Sequence, residues 1–378
     1  MCITSILCRM KVNRLYTIAG SKVLLRSLYH IPTQNTSSKK EKLKGSNMAK
    51  IHIILATYNG EKYLRRQLDS ILQSYEDFCL HIFDDGSTDA TAEILQEYQG
   101  MCPNRIKVNS NAQNLGCTRN FLNGLKTVYE EVTRDGAVQN DFADSATGKQ
   151  HVPTKHYFMF CDQDDIWYPE KLSITQKAMR RLEKKYGSDL PLLVFTDAVV
   201  TDVNGEEIAP SFIAQNKLNP YAVNTARILT ENKCIGCTSM MNEELVQLLT
   251  KVPEQARYHD WWMALLATSF GRMSYLNRKT LSYCQHGNNV VGVQKFSSYV
   301  KQRLLTLKKQ KEMLLATQQQ AAEFLAIYGE VLTEEKSKVI KSFATLSEQG
   351  FMRRRINILR YGFFKTGLIR NIGLLLII

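Results

Sequence analysis

No apolar run in this chain is long enough to cross a bilayer, because its most apolar stretch, residues 351–378, is broken by Arg353, Arg354, Arg355, Arg360, Lys365 and Arg370. Proline (8) and glycine (20) are too sparse for a collagenous or low-complexity chain. The nine cysteines are odd in number and irregular in spacing, which excludes a disulfide framework and makes a reducing cytoplasm the expected home. Cys234 and Cys237 form a single CxxC with no second pair and no nearby histidine, so buried thiols are expected there rather than zinc. What is present is ordinary globular composition, 44% hydrophobic and 22% charged over 378 residues, enough for one large or two modest domains.

The net charge of +13 is unevenly placed. Residues 1–50 carry 10 Lys and Arg against 1 acid, residues 295–378 carry 15 against 6, and the middle carries 24 against 29. The basic ends therefore conceal an acidic centre. Nucleic acid is not expected as a partner, since an acidic centre repels phosphate.

Residues 1–47 are basic, contain no acid before Glu41, and close on the polar "TQNTSSKKEKLKGSN". Lys22 interrupts their apolar run, which makes a poor secretory signal but resembles a transit-type composition. Expected here is a start at Met48 or a disordered extension. Residues 48–293 then read as one catalytic domain, and 294–378 as a helical C-terminal region.

From residue 51 short β-branched runs alternate with helical periodicity. Strands are predicted at 51–58, 79–87, 105–111, 156–162 and 191–197. Helices are predicted over 61–74, after a Thr88 N-cap, over 117–131, and over 169–187. Residues 133–154 have turn composition and are expected to form a surface insertion. Such alternation predicts an α/β fold, a mostly parallel sheet with helices on both faces.

Ligands bind such sheets at the carboxyl ends of the strands. Four predicted strands end there in Thr57-Tyr58-Asn59, Asp84-Asp85, Asp162-Gln163-Asp164-Asp165 and Thr196-Asp197. Clustered carboxylates raise one another's pKa unless a cation joins them. Hard oxygen ligands on a strand end suit Mg²⁺ or Mn²⁺. Taken singly, each acid also fits a loop or a helix cap. The segment "TYNGEKY" has none of the glycine- and basic-rich character of a triphosphate loop, which disfavours a nucleotidyltransferase.

Seven segments, "ILATYNGEKYLRRQLDSIL", "FDDGSTDAT", "NLGCTRN", "FCDQDDIW", "NKCIGCTSMMN", "HDWW" and "QHGNNVVG", stand in one order within residues 50–292. In that order the chain resembles family 2 glycosyltransferases, the last three segments most resembling a bacterial rhamnosyltransferase-like branch. The resemblance implies a GT-A fold: a Rossmann-like nucleotide-binding domain with the acceptor half built onto it. It implies a nucleotide-diphosphate sugar donor, with dTDP-rhamnose the first choice and uridine-diphosphate hexoses open, and a glycan or lipid-linked glycan acceptor.

By the same resemblance Thr57, Tyr58, Asn59 and Glu61 line the nucleotide pocket with Asp84 or Asp85, Asn114, Gly116 and Arg119. Asp162 contacts the donor ribose or a metal-bound water, and Asp164 is the metal ligand, with His286 as a further ligand or phosphate donor. Asp260 is the general base, with His259, Trp261 and Trp262 beside the acceptor. Of the two tryptophans, one is expected on the sugar and one in the core. Gly287 and Gly292 suit a loop over the diphosphate. Two positions depart from the family pattern. Cys284 replaces a usual arginine, for which Arg278 is the expected substitute, and His259 replaces a usual glutamate.

Residues 294–349 are expected to form a polar helix packed through Leu304, Leu305, Leu307, Met313, Leu314 and Leu315. The last 28 residues interleave arginines with large apolar side chains, which suits an interfacial helix on an anionic membrane, or a core helix with a basic outer face. The first option predicts a peripheral protein on the inner face of the plasma membrane. A catalytically silent nucleotide- or sugar-binding protein of the same fold is the alternative, and would be expected to lose the Asp-x-Asp or the base.

Overall fold

A computed structural model describes residues 49–141, 154–286 and 307–378. The expected N-terminal extension, Gly287, Gly292, Leu304 and Leu305 lie outside the described residues. Chain order begins β1 (Ala49–Thr57), α1 (Leu64–Leu72), β2 (Phe78–Asp84), α2 (Thr91–Met101), β3 (Ile106–Ser110), α3 (Cys117–Asp141), β4 (Lys155–Cys161), β5 (Ile166–Trp167) and α4 (Lys171–Tyr186). It continues with β6 (Leu192–Thr201), β7 (Glu207–Ala209), α5 (Phe212–Gln215), α6 (Thr225–Thr230), β8 (Ser239–Asn242), α7 (Glu243–Gln247), α8 (His259–Phe270) and β9 (Arg272–Cys284). Four helices close the chain: α9 (Leu307–Tyr328), α10 (Glu334–Ala344), α11 (Phe351–Tyr361) and α12 (Leu368–Ile377).

The strands form one sheet in the order β3-β2-β1-β4-β8-β6-β9-β5, with β7 on β6. β1 pairs in parallel with β2 on one side and β4 on the other. β8 runs antiparallel to both β4 and β6, so β6 and its parallel partner β9 point the same way as β1. The sheet is thus mostly parallel, as the alternation predicted. Both faces are covered. Ile53, Leu55, Leu80 and Ile82 pack with Leu64, Leu68 and Leu95, while Ile54, Phe83, Phe158 and Phe160 pack with Phe121, Trp262 and the C-terminal Phe324 and Phe343.

Several local expectations need correction. α3 runs on through residues 133–141, the first part of the expected insertion, and residues 142–153 lie outside the described residues. No proline interrupts the helix, and its two glycines, Gly124 and Gly136, cost a long helix only about 1 kcal/mol each. Thr88 does not cap α2; Asp89 does that work, its Oδ1 accepting from the Thr91 backbone N–H at 3.0 Å. β6 continues past Asp197, whose carboxylate accepts from Ser211 Oγ and the Ile213 N–H inside the fold.

The C-terminal 28 residues form two helices rather than one. Gly362 (φ +72°) and Gly367 (φ +85°) bracket the break in conformations that side chains rarely adopt. Ile358, Phe363 and Leu374 are buried, and Arg370 pairs with Glu231 at 2.8 Å, so the tail is docked on the catalytic half. Among the described residues no helix is long and apolar enough to cross a membrane.

Candidate active site

The chain turns from β1 to β2 and β3 on one side and returns to β4 on the other, so a crevice opens where β1 and β4 end. Gln163 bridges it. Thr57 Oγ1 donates to Gln163 Oε1 at 2.6 Å, the Tyr58 N–H donates to the same oxygen, and Gln163 Nε2 returns a bond to the Tyr58 carbonyl. Gly60 is required there, because a Cβ would stand 2.5 Å from that Oε1. The middle residue of Asp162-Gln163-Asp164 thus locks the loop while its neighbours face a cavity of about 1130 Å³.

Thr57, Tyr58, Asn59, Asp85, Asn114, Gly116, Arg119, Asp162, Asp164, His259, Asp260, Trp261 and His286, all singled out by sequence, line this one cavity. Three others do not. Glu61 is turned away, its carboxylate accepting the Ala90 N–H, and its expected place in the pocket is corrected. Asp84 is buried against the Ser87 hydroxyl and N–H. Trp262 is wholly buried in the core, edge-on to Phe324, and does not face an acceptor.

Asp85 accepts from Asn111 Nδ2 and the Leu115 N–H at 2.8 Å and from the Gly116 N–H at 2.9 Å. A carboxylate has about four acceptor sites, so roughly one is left for a ligand. Its main task is to hold the turn in which Gly116 takes φ +80°.

Asp164 Oδ2 lies 2.7 Å from His286 Nε2, and the His286 ring stacks on Tyr63 at 4.7 Å. Asp162 is pushed up to about 7, first by burial and then by the charges of Asp164 and Asp260. Behind it Asp165 is fully buried and raised well above the usual range by burial, then by Asp164 and Asp162. Asp165 Oδ1 accepts from the Cys284 N–H at 3.3 Å, which ties the Asp-x-Asp loop to the end of β9 and so to His286. Asp162, Asp165 and the Cys237 thiol also bring ligand atoms within 4.8 Å of one another.

Asp260 sits in the first turn of α8. Its Oδ2 accepts the Gly236 N–H at 3.0 Å, and its buried Oδ1 has no hydrogen-bond partner. Burial raises it to about 7 against the pull of the Trp261 N–H, the Asn232 side chain and the Gly236 N–H. His259 lies beneath it, stacked on Phe121 at 3.9 Å, with burial lowering it to about 3. A neutral histidine fills that place, so Asp260 is the carboxylate facing the cavity from α8.

Arg278 is exposed on β9 and absent from the cavity lining, which corrects its expected role. Arg66 instead reaches Cys284, its Nη2 3.3 Å from the sulfur. Sequence reasoning also passed over Gln163 and Asp165, although both stand inside a motif it used, and over Arg257, Lys365 and Arg370 as residues of the cavity, which they line without any motif.

Residues 52–133 match the family model described as Glycosyl transferase family 2. The mostly parallel sheet carries the Asp-x-Asp at the switch between β1 and β4. The chain is 28% identical over 250 residues to the dTDP-rhamnosyl transferase RfbG of Shigella flexneri, covering 63% of this chain and 73% of that one. It is 30% identical over 127 residues to the glycosyltransferase GlyA of Streptococcus pneumoniae, covering 32% of this chain but only 18% of GlyA. Among solved structures, S. aureus TarS 1–349 has a TM-score of 0.44 and 16% identity, covering 82% of this chain and 72% of that one.

Proposed function

We propose that this chain is an inverting family 2 glycosyltransferase that moves rhamnose from dTDP-rhamnose to a hydroxyl of a glycan or lipid-linked glycan in cell-surface polysaccharide synthesis. The choice of sugar is supported by the 250-residue similarity to a dTDP-rhamnosyl transferase. Catalysis is assigned on one observation: Asp260 lines the cavity and keeps one buried carboxylate oxygen without a hydrogen-bond partner, near enough to Asp162 for their charges to interact. In this account Asp260 takes the acceptor proton as the hydroxyl attacks the anomeric carbon, and the carbon inverts in one displacement.

The donor lies along Thr57, Tyr58, Asn59, Asp85 and Arg119. A divalent cation fits the carboxylates, since Asp162 is raised first by burial and then by the negative charge of Asp164 and Asp260, and Asp164 and His286 offer adjacent oxygen and nitrogen donors. Mg²⁺ or Mn²⁺ held by Asp164 and His286, with Asp162 behind, would supply charge neutralisation for the departing nucleoside diphosphate. The working place is the cytoplasm, at the inner face of the plasma membrane, with 48–293 as the catalytic domain.

The test is release of nucleoside diphosphate from dTDP-rhamnose and uridine-diphosphate hexoses with a glycan acceptor, followed by the anomeric configuration of the product. Inversion with dTDP-rhamnose supports the proposal. Retention, or donor binding without turnover, would overturn it.

A further inference from the structure

The C-terminal helices present to solvent what a soluble surface usually hides. Among the described residues eighteen large apolar side chains are exposed, and eight of them fall within residues 351–376. On α11, Met352, Ile356 and Leu359 recur at intervals of four and three and are 67%, 56% and 65% exposed. On α12, Leu368, Ile372 and Leu376 recur every fourth residue and are equally outward. Arg355 Nη2 donates to the Leu375 carbonyl at 2.9 Å, which links the two helices. Exposed apolar stripes of this kind mark an interaction surface.

Its charge selects the partner. Residues 350–378 contain six Lys and Arg and no acid, and Arg353 and Arg360 are exposed beside the apolar stripe of α11. A second copy of the chain would bring like charges together, whereas an anionic bilayer complements both the arginines and the apolar side chains. The surface also has a fixed relation to the cavity. Lys365, between the helices, and Arg370, on α12, line the cavity together with Arg257.

We propose that α11 and α12 lie in the interface of an anionic lipid bilayer, and that the cavity they border thereby opens toward the membrane that carries a lipid-linked acceptor. The second clause rests on the glycosyltransferase reading of the cavity; the first does not.

Flotation of the full chain with phosphatidylcholine vesicles, with and without phosphatidylglycerol, tests it. The triple variant Ile356→Ser, Leu359→Ser, Ile372→Ser should bind roughly 100-fold more weakly to anionic vesicles, by loss of apolar burial. Arg353→Gln with Arg360→Gln should lose about 10-fold or more on anionic vesicles at low salt and almost nothing on neutral ones. All five side chains are outside the cavity, so thermal stability and transfer to a water-soluble acceptor should match the parent, which separates failure of this surface from failure of the catalytic assignment. Parent protein that does not float, or variants that float as it does, would overturn the proposal. So would a parent dimer that the triple variant dissolves while vesicle binding is unchanged.

Discussion

His286 at the end of β9 meets Asp164 at the end of β4, Nε2 to Oδ2 at 2.7 Å, across 122 residues of chain. Two ends of the sheet therefore close on one point of the cavity, where the two side chains present nitrogen and oxygen donors to the same space. If they share a cation, Asp164→Ala and His286→Ala should each weaken Mn²⁺-dependent nucleotide binding by about 10-fold or more, while binding in chelator stays low and unchanged. Calorimetric titration with and without Mn²⁺ reads this. Equal loss in both conditions would make the pair structural.

Removing the Asp260 carboxylate separates chemistry from binding. Asp260→Asn should lower kcat by about 10²- to 10⁴-fold, the range for a general base, and leave donor affinity within a few-fold. Steady-state kinetics beside donor titration checks it, and near-normal turnover would remove Asp260 from its role.

Gly236 holds that carboxylate by its N–H while lying so close to His259 that a Cβ would stand 2.5 Å from Nε2. Gly236→Ala should therefore displace His259 or the Asp260 contact and lower kcat by about 10-fold or more. Gly236→Ser should do no better, whereas alanine at Gly100, in α2 with open space around it, should leave kcat unchanged. Parent-like kcat for Gly236→Ala would contradict the contact.

The two tryptophans of α8 should behave differently. Trp262→Ala opens a cavity in the core and should cost about 3–5 kcal/mol of stability without selective loss of donor affinity. Trp261 borders the substrate cavity, with its Nε1 tied to the Ile228 carbonyl. Trp261→Phe should raise the acceptor KM more than it lowers stability. Urea unfolding and kinetics on both variants decide between them.

Far from the cavity, His81 Nε2, His52 and His156 Nδ1 form a hydrogen-bonded row across β2, β1 and β4, at 3.1 and 3.0 Å. Burial, and then neighbouring positive charge, lowers His52 to about 2; burial, then Lys107 and Lys50, lowers His81 to about 3. Unfolded histidine takes up a proton below about 6.5 and these do not, so their contribution is full above that pH and lost as pH falls toward 3. Between pH 7 and 5.5 each costs about 1 kcal/mol. The stability penalty of His52→Phe should shrink by that amount over the same interval, and the His52 and His81 ring proton signals should not titrate between pH 8 and 5. Titration of either near 6.5 would contradict the burial argument.

Strand ends were legible because a parallel strand is a short β-branched run, and the polar residue after it must stand at the sheet's edge. Asp260 was singled out through the family resemblance alone, since a carboxylate in a helix's first turn reads by itself as a cap. Gln163 was not, since an amide between two acids shows no chemistry until β1 is seen beside it. The choice between Trp261 and Trp262, or between Arg278 and Arg66 at Cys284, depends on which way adjacent side chains face once β9 and α8 are packed. Likewise the histidine row joins positions on three strands, and no local pattern links them. The break at Gly362 to Gly367 turned one expected tail helix into two, because a basic, apolar sequence reads as continuous helix until the glycines take positive φ.

The most direct test of the donor site is titration of the protein with dTDP, dTDP-rhamnose and uridine-diphosphate hexoses, each with Mn²⁺, with Mg²⁺ and with chelator, following thermal stabilisation. Metal-dependent stabilisation by a thymidine diphosphate compound, lost in Asp164→Ala, is the result this account predicts. Stabilisation by none of them, or stabilisation indifferent to metal and to Asp164, would contradict it.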